Sequence, residues 1–168
     1  MKIYLQNDPL WKNEKIVHKK YNMTIERNGC LICSLSSIMG IKPKQLNTLM
    51  IEKKIYRSDI ISGYSTVTQY MAGHNILSIY DLVDWNKFDR LFGIHISRIK
   101  NYSADISIGS YRVFSDSIYG RKKLMTVERF FVLDKHIDGK ILSYDTHNGE
   151  KSIRYENQFY DFLEVKCN

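Results

Sequence analysis

A short apolar helix that begins at a cysteine is the feature of this sequence that most limits its fold. From Leu31 onward the apolar residues recur with the spacing of one helical face, and Gly40 follows as a left-handed stop. Asn28 is predicted to cap this helix, and Gly29 to allow a tight turn before it. Cys30 would then lie where unpaired amides and the helix dipole favour a thiolate. The stretch therefore predicts either a nucleophile or a small buried cysteine.

Length and composition predict one packed domain over residues 1–168. The chain is 43% hydrophobic and 12% aromatic, which favours a globular core over disorder. Its polar first residues are unlike a signal peptide, and it contains no apolar run long enough to cross a bilayer. Three cysteines, an odd number, suit a reducing compartment. We therefore expect a cytoplasmic protein.

The charge of the chain favours an anionic partner. Lysine and arginine number 25 against 18 acids, which gives a formal net charge of +7. Such a charge promotes contact with nucleic acid, a phosphate-rich wall polymer or a membrane surface. The basic residues are scattered along the sequence, so the charge alone predicts an anionic polymer surface as a partner without defining a specific site.

The hydrophobic pattern changes its period halfway along the chain. Helices are predicted at the Cys30 stretch and at residues 43–50, 66–71 and 84–92. Strands are predicted at residues 76–80, 106–114, 129–134 and 140–145, and residues 157–165 form either a strand or a helix. Helices followed by an antiparallel sheet indicate an α+β fold.

A hairpin is predicted where Asp138 and Gly139 separate two apolar stretches. This dipeptide is typical of a two-residue turn, in which the flanking residues Ile137 and Lys140 pair directly. An uninterrupted register counted back from that turn brings further residues to one side of the sheet. The predicted pairs are Val132 with Asp145 and Phe130 with His147.

The order of these segments resembles a known family. A glutamine near the start, a Gly-Cys helix, a later apolar strand, a glycine turn and an aspartate follow one another as in the small C39-like cysteine peptidases of bacteria and phages. The resemblance is carried by residues 6–11, 28–39 and 130–145. It implies a papain-like α+β fold in which N-terminal helices pack on a C-terminal antiparallel sheet.

The resemblance also implies roles for individual residues. In such enzymes a thiolate attacks a carbonyl, a histidine moves the proton, a carboxylate orients the imidazole, and a glutamine amide binds the oxyanion. Cys30, Asp145 and Gln6 match three of these positions, whereas Phe130 stands where the family has histidine. Loss of a general base forfeits about 10²–10⁴-fold in rate. His147 is the candidate replacement through the hairpin register, and the alternative is an exposed histidine in a polar turn.

Two functions follow, and the missing histidine favours the first. The first is a catalytically impaired pseudoenzyme that binds a peptide or protein, or serves a structural role in a larger assembly. If it is phage-encoded, it would act in the host cytoplasm or in the virion. The alternative is an active cysteine peptidase or amidase, with Cys30 as nucleophile and His147 as the rearranged base.

The sequence gives less support to a redox or metal-binding role for the cysteines. Cys30 and Cys33 have the C-x-x-C spacing of thioredoxin-type sites, but the βαβ pattern of that fold does not precede them. Cys167 stands alone near the end, so a second pair of zinc ligands is missing. We expect no metal and no cofactor.

Overall fold

The computed structural model describes residues 1–57, 79–101, 107–115, 125–159 and 161–167. The α-helices are α1 (Ile25–Asn28), α2 (Cys30–Met39), α3 (Pro43–Glu52) and α4 (Trp85–Phe92), with 3₁₀ turns at Ile79–Leu82 and Glu156–Gln158. The strands are β1 (Ile94–Ile99), β2 (Ser107–Ser115), β3 (Met125–Ile137), β4 (Lys140–Asp145), β5 (Lys151–Tyr155) and β6 (Asp161–Cys167). Helices and an antiparallel sheet together confirm the α+β class.

The strands form one sheet in the order β1-β6-β2-β3-β4-β5, with every neighbouring pair antiparallel. The main core joins the helices to one face of this sheet, and Leu31 of α2, Leu46 of α3 and Phe130 of β3 all belong to it. A second apolar cluster contains Phe131 and Phe162. Because successive residues of a strand point to opposite faces, Phe130 faces the helices and Phe131 faces away.

Helices α2, α3 and α4 follow local signals in the sequence. Gly40 ends α2 with a φ of 71°, as predicted. Pro43 opens α3, and the carboxylate of Asp84 accepts the amide of Lys87 at the start of α4. No described helix has the length and apolar character that a membrane crossing needs.

The start of α2 differs from the prediction. Asn28 does not cap α2, because it is the last residue of α1, a short helix that the sequence reading missed. Thr24 caps α1 through its side chain, and Gly29 separates the two helices without a side-chain cap. Cys30 nevertheless begins α2, as predicted.

Other sequence predictions have mixed outcomes. The predicted helix at 66–71 and residues 76–78 of the predicted strand lie outside the described residues. Ile79 and Tyr80 belong to a 3₁₀ turn, so the strand prediction is wrong there. The end of the chain forms the strand β6 rather than a helix. Strands β1 and β5 were not predicted.

The hairpin between β3 and β4 has the predicted turn. Asp138 and Gly139 both have positive φ angles, 53° and 76°, as a type I′ turn requires. Ile137 pairs with Lys140 across it, which confirms the turn length.

A β-bulge then changes the register of this hairpin. Leu133 pairs with Ser143 and His136 with Ile141, so two residues of β3 oppose one residue of β4. The pairs beyond the bulge are Val132 with Tyr144 and Phe131 with Asp145. The predicted pairs of Val132 with Asp145 and Phe130 with His147 are therefore wrong, because a slip of one residue moves each side chain of β4 to the other face.

Gly29→Ala tests how tightly α1 and α2 are joined. A Cβ atom on Gly29 would lie 2.7 Å from the Cα of Ile25, a clash with backbone that cannot move aside easily. We expect the free energy of unfolding in urea to fall by about 2–3 kcal/mol, as for overpacking. Gly40→Ala is the control, since its Cβ meets open space and its positive φ costs about 1 kcal/mol. A smaller loss for Gly29→Ala than for Gly40→Ala would contradict this packing.

Candidate functional site

Cys30 is the first residue of α2 and is half-buried against the main core. Its helix lies against β3, which carries Phe130. The backbone N–H groups of Phe130, Leu31 and Cys30 itself lower the pKa of the Cys30 thiol, and so does the positive charge of the Arg129 guanidinium. The structure therefore brings together the cysteine and the strand position that the family resemblance assigns to the base.

Burial decides the protonation of this cysteine. Desolvation raises the pKa of the Cys30 thiol above its ordinary value, and the three backbone N–H groups and Arg129 only partly oppose it. Burial likewise raises the pKa of Cys33, and the neighbouring Cys30 adds to the effect. The helix terminus was expected to favour a thiolate, but desolvation outweighs it and favours the neutral thiol.

Phe130 replaces a base with a buried apolar ring. Its side chain is 2% exposed and belongs to the same core as Cys30. A phenyl ring has no lone pair that accepts a proton, so this position cannot activate the thiol. The ring instead helps to bury the core against which Cys30 packs.

Gln6 is fully engaged in hydrogen bonds. Its side-chain nitrogen donates to the carbonyl oxygens of Ile25 at 3.2 Å and Glu26 at 3.1 Å. Its side-chain oxygen accepts the Thr146 hydroxyl at 3.0 Å. Both amide hydrogens are therefore taken by α1, and neither is left to bind an oxyanion as the resemblance implied. Gln6 instead ties the start of the chain to α1 and to the end of β4.

Thr146 takes the place that the uninterrupted register assigned to His147. It follows Asp145 directly, it is fully buried, and its hydroxyl and carbonyl both bond to Gln6. His147 is exposed, and its backbone N–H donates to the Asp145 carboxylate at 2.8 Å. The prediction that His147 stands across from Phe130 is wrong because of the bulge, and the polar-turn alternative describes its place.

Asp145 lies on the face of the sheet away from Cys30. It pairs with Phe131, whose side chain belongs to the second apolar cluster, and its carboxylate closes the turn that follows β4. Cys30 therefore lies beside β3, but the other three predicted site residues are not directed at it. These are Gln6, Asp145 and His147. Within the described ranges, no three His, Cys, Asp or Glu side chains group closely enough to hold a metal ion.

Sequence reasoning missed Thr146 and the bulge that places it. The available signal was the polar pair Asp134 and Lys135, which interrupts the apolar run of β3 shortly before the turn. Such an interruption of the period-two pattern is a common mark of a bulge.

Comparison with known proteins adds no relative. The chain matches no protein-family model, and no curated protein or solved structure shows significant similarity to it.

Thr146→Val and His147→Ala together test the register at this site. Thr146→Val keeps the volume but leaves the buried Gln6 oxygen without its hydroxyl donor, which costs about 1–3 kcal/mol. His147→Ala removes an exposed side chain and should change the free energy of unfolding by less than about 0.5 kcal/mol. Urea denaturation of both variants measures the difference. Equal losses, or a larger loss for His147→Ala, would contradict the bulged register.

Proposed function

We propose that this chain is a papain-like domain of the C39-like kind that has no peptidase activity. It acts by binding a peptide or protein partner, or as a structural component of a larger assembly. The observation that carries the proposal is the buried Phe130 beside Cys30, at the position that the resemblance assigns to the base. The order of the segments and the cysteine helix against an antiparallel sheet support the papain-like part.

Three features argue against catalysis, and each of them alone would lower the reaction rate. Phe130 stands at the position that the resemblance assigns to the base. Because a phenyl ring transfers no proton, the reaction rate would be about 10²–10⁴-fold lower. The thiol of Cys30 has a raised pKa, so little thiolate forms at neutral pH. The amide of Gln6 is occupied, and an absent oxyanion donor costs about 10²–10³-fold.

An active cysteine peptidase or amidase is the second candidate. It is favoured by the partial exposure of Cys30 and by the N–H groups of Leu31 and Phe130, which lower the pKa of the thiol against the larger effect of burial. This candidate needs a histidine beside the Cys30 sulfur. His147, the residue predicted for that role, lies in an exposed turn. The cytoplasm, or a virion if the chain is phage-encoded, remains the proposed place of action for either function.

Alkylation of Cys30 by iodoacetamide at pH 7 separates the two candidates. In a Cys167→Ser background, we expect Cys30 to react no faster than free cysteine, because its thiol stays neutral. His147→Ala should leave that rate unchanged. A rate well above that of free cysteine, lost in His147→Ala, would establish the active enzyme and contradict the proposal.

Phe130→His is the complementary variant. An imidazole beside the sulfur lowers a thiol pKa towards about 7, so alkylation at pH 7 should rise by about tenfold. Phe131→His is the matched control, because it puts the same group into the same strand on the opposite face. Equal alkylation rates for the two variants would mean that a side chain at position 130 does not act on the Cys30 thiol.

A further inference from the structure

Strand β5 forms one edge of the sheet. It pairs with β4 on one side, and among the residues that the structure describes no strand pairs with its other side. Natural sheets protect such an edge with proline, with a bulge or with charged side chains. The sequence of β5 has no proline, and its pairing with β4 has no bulge. The edge is therefore suited to pairing with a further strand.

The hydrogen bonds to β4 show which backbone groups of β5 point outward. The backbone N–H of Asp145 donates to the Glu150 carbonyl at 3.0 Å, and that of Glu156 donates to the Gly139 carbonyl at 3.0 Å. In an antiparallel pair the hydrogen-bonded residues alternate along each strand. The even-numbered residues of β5 therefore also bond to β4, and its odd-numbered residues present their N–H and C=O groups at the edge.

One of these outward N–H groups already has an acceptor. The backbone N–H of Tyr155 donates to the Gln158 side chain at 2.7 Å. The other two outward N–H groups belong to Lys151 and Ile153, and both side chains are exposed, that of Ile153 by 68%. A further strand can therefore form backbone hydrogen bonds with Lys151 and Ile153, but it cannot use the N–H of Tyr155 without breaking the contact with Gln158.

This geometry favours one register for antiparallel pairing with the same strand of a second copy. Registers that use Tyr155 need the N–H that Gln158 occupies. The register that places Lys151 opposite Lys151 of the second copy opposes like charges, which is destabilising. The remaining register is centred on Ser152. It pairs Lys151 of each copy with Ile153 of the other, and each such pair exchanges two backbone hydrogen bonds.

The charged side chains fit the register centred on Ser152. In it, Arg154 of each copy lies opposite Glu150 of the other, and opposite charges across a sheet are stabilising. The Arg154 guanidinium lies 4.8 Å from the centre of the Phe131 ring, and a stacked guanidinium still donates in its own plane. Glu150 is exposed, and its carboxylate accepts the Asn148 side chain at 3.4 Å and has capacity for further donors. Because one strand supplies both charges, this complementarity favours a second copy of the chain as the partner.

The opposite face of β5 adds apolar contact in the same register. Ile153 pairs with Leu142 of β4, and the two side chains lie next to each other. Ile153 of each copy would lie against the aliphatic part of Lys151 of the other, and diagonally from the other Ile153. The exposed isoleucine is thereby covered.

We propose that β5 pairs with β5 of a second copy of this chain, antiparallel and centred on Ser152, so that two six-stranded sheets become one. This inference goes beyond the proposed function and rests on different residues, so it holds whether or not Cys30 is catalytic. The pairing is short, and interfaces below about 1,200 Å² are of the weak or transient kind. We therefore expect a dimer that dissociates on dilution.

Sedimentation equilibrium of the full chain tests the proposal, in a Cys167→Ser background that prevents disulfide-linked dimers. We expect a reversible monomer–dimer equilibrium between about 5 and 500 μM, the range that suits a weak interface. Ile153→Pro removes an outward N–H and no bond to β4, so it should weaken dimerisation about tenfold or more. Ile137→Ser removes an exposed isoleucine away from this edge and should leave the dimerisation constant unchanged. Circular dichroism checks that both variants keep the sheet.

A charge reversal tests the register itself. Glu150→Arg places two arginines opposite each other at both ends of the pairing and should weaken dimerisation about fivefold or more. Glu52→Arg is the matched control, because it makes the same change of charge at an exposed position on α3. Its dimerisation constant should change much less.

Three results would overturn the proposal. They are a natural chain that stays monomeric over the whole concentration range, a dimer that Ile153→Pro leaves intact, and equal effects of Glu150→Arg and Glu52→Arg. A monomeric chain would leave this edge to an extended segment of a different protein. Alkylation of Cys30 is unaffected by these outcomes, so the two proposals fail independently.

Discussion

The contact between Gln6 and Thr146 is the interaction on which the arrangement around Cys30 depends. The backbone N–H of Gln6 donates to the Thr146 carbonyl at 2.8 Å, and the Thr146 hydroxyl donates to the Gln6 side-chain oxygen at 3.0 Å. Both residues are buried, so each polar atom needs its partner and the pair is held strongly. The contact joins the beginning of the chain to the end of β4, and α1 completes it. The side-chain N–H groups of Gln6, which a peptidase would direct at an oxyanion, donate instead to the Ile25 and Glu26 carbonyls of α1.

The bulge in β3 makes that contact available. Without it, the residue after Asp145 would turn to the opposite face, and His147 would point at the helices. With it, Thr146 reaches Gln6 and His147 stays in solvent. One additional residue in a strand thus removes the candidate base and completes a buried polar pair. The exposure of His147 and the burial of Thr146 have the same cause.

The sequence predicts what local chemistry determines. Gly40 ends α2, Pro43 opens α3, and Asp138 and Gly139 form the hairpin turn, since each of these residues favours its conformation without help from distant parts. The bulge, the edge strands β1 and β5, and the partner of Gln6 depend on contacts between segments far apart in the chain. At the candidate site, the structure confirms that Cys30 begins α2, as the sequence predicts. The predicted strand pairings of Asp145 and His147 are wrong, because they depend on the register across the bulge.

The central proposal is that Cys30 is a half-buried thiol that stays neutral and does not act as a nucleophile. Desolvation raises the pKa of its thiol, whereas three backbone N–H groups and Arg129 lower it, and desolvation is the largest of these effects. The most direct test is thiolate absorbance at alkaline pH, taken as the difference between the protein and its Cys30→Ser variant in a Cys167→Ser background. The account predicts an apparent pKa for Cys30 above the value of about 8.5 for free cysteine. A pKa below about 7 would contradict it and assign Cys30 to an activated site.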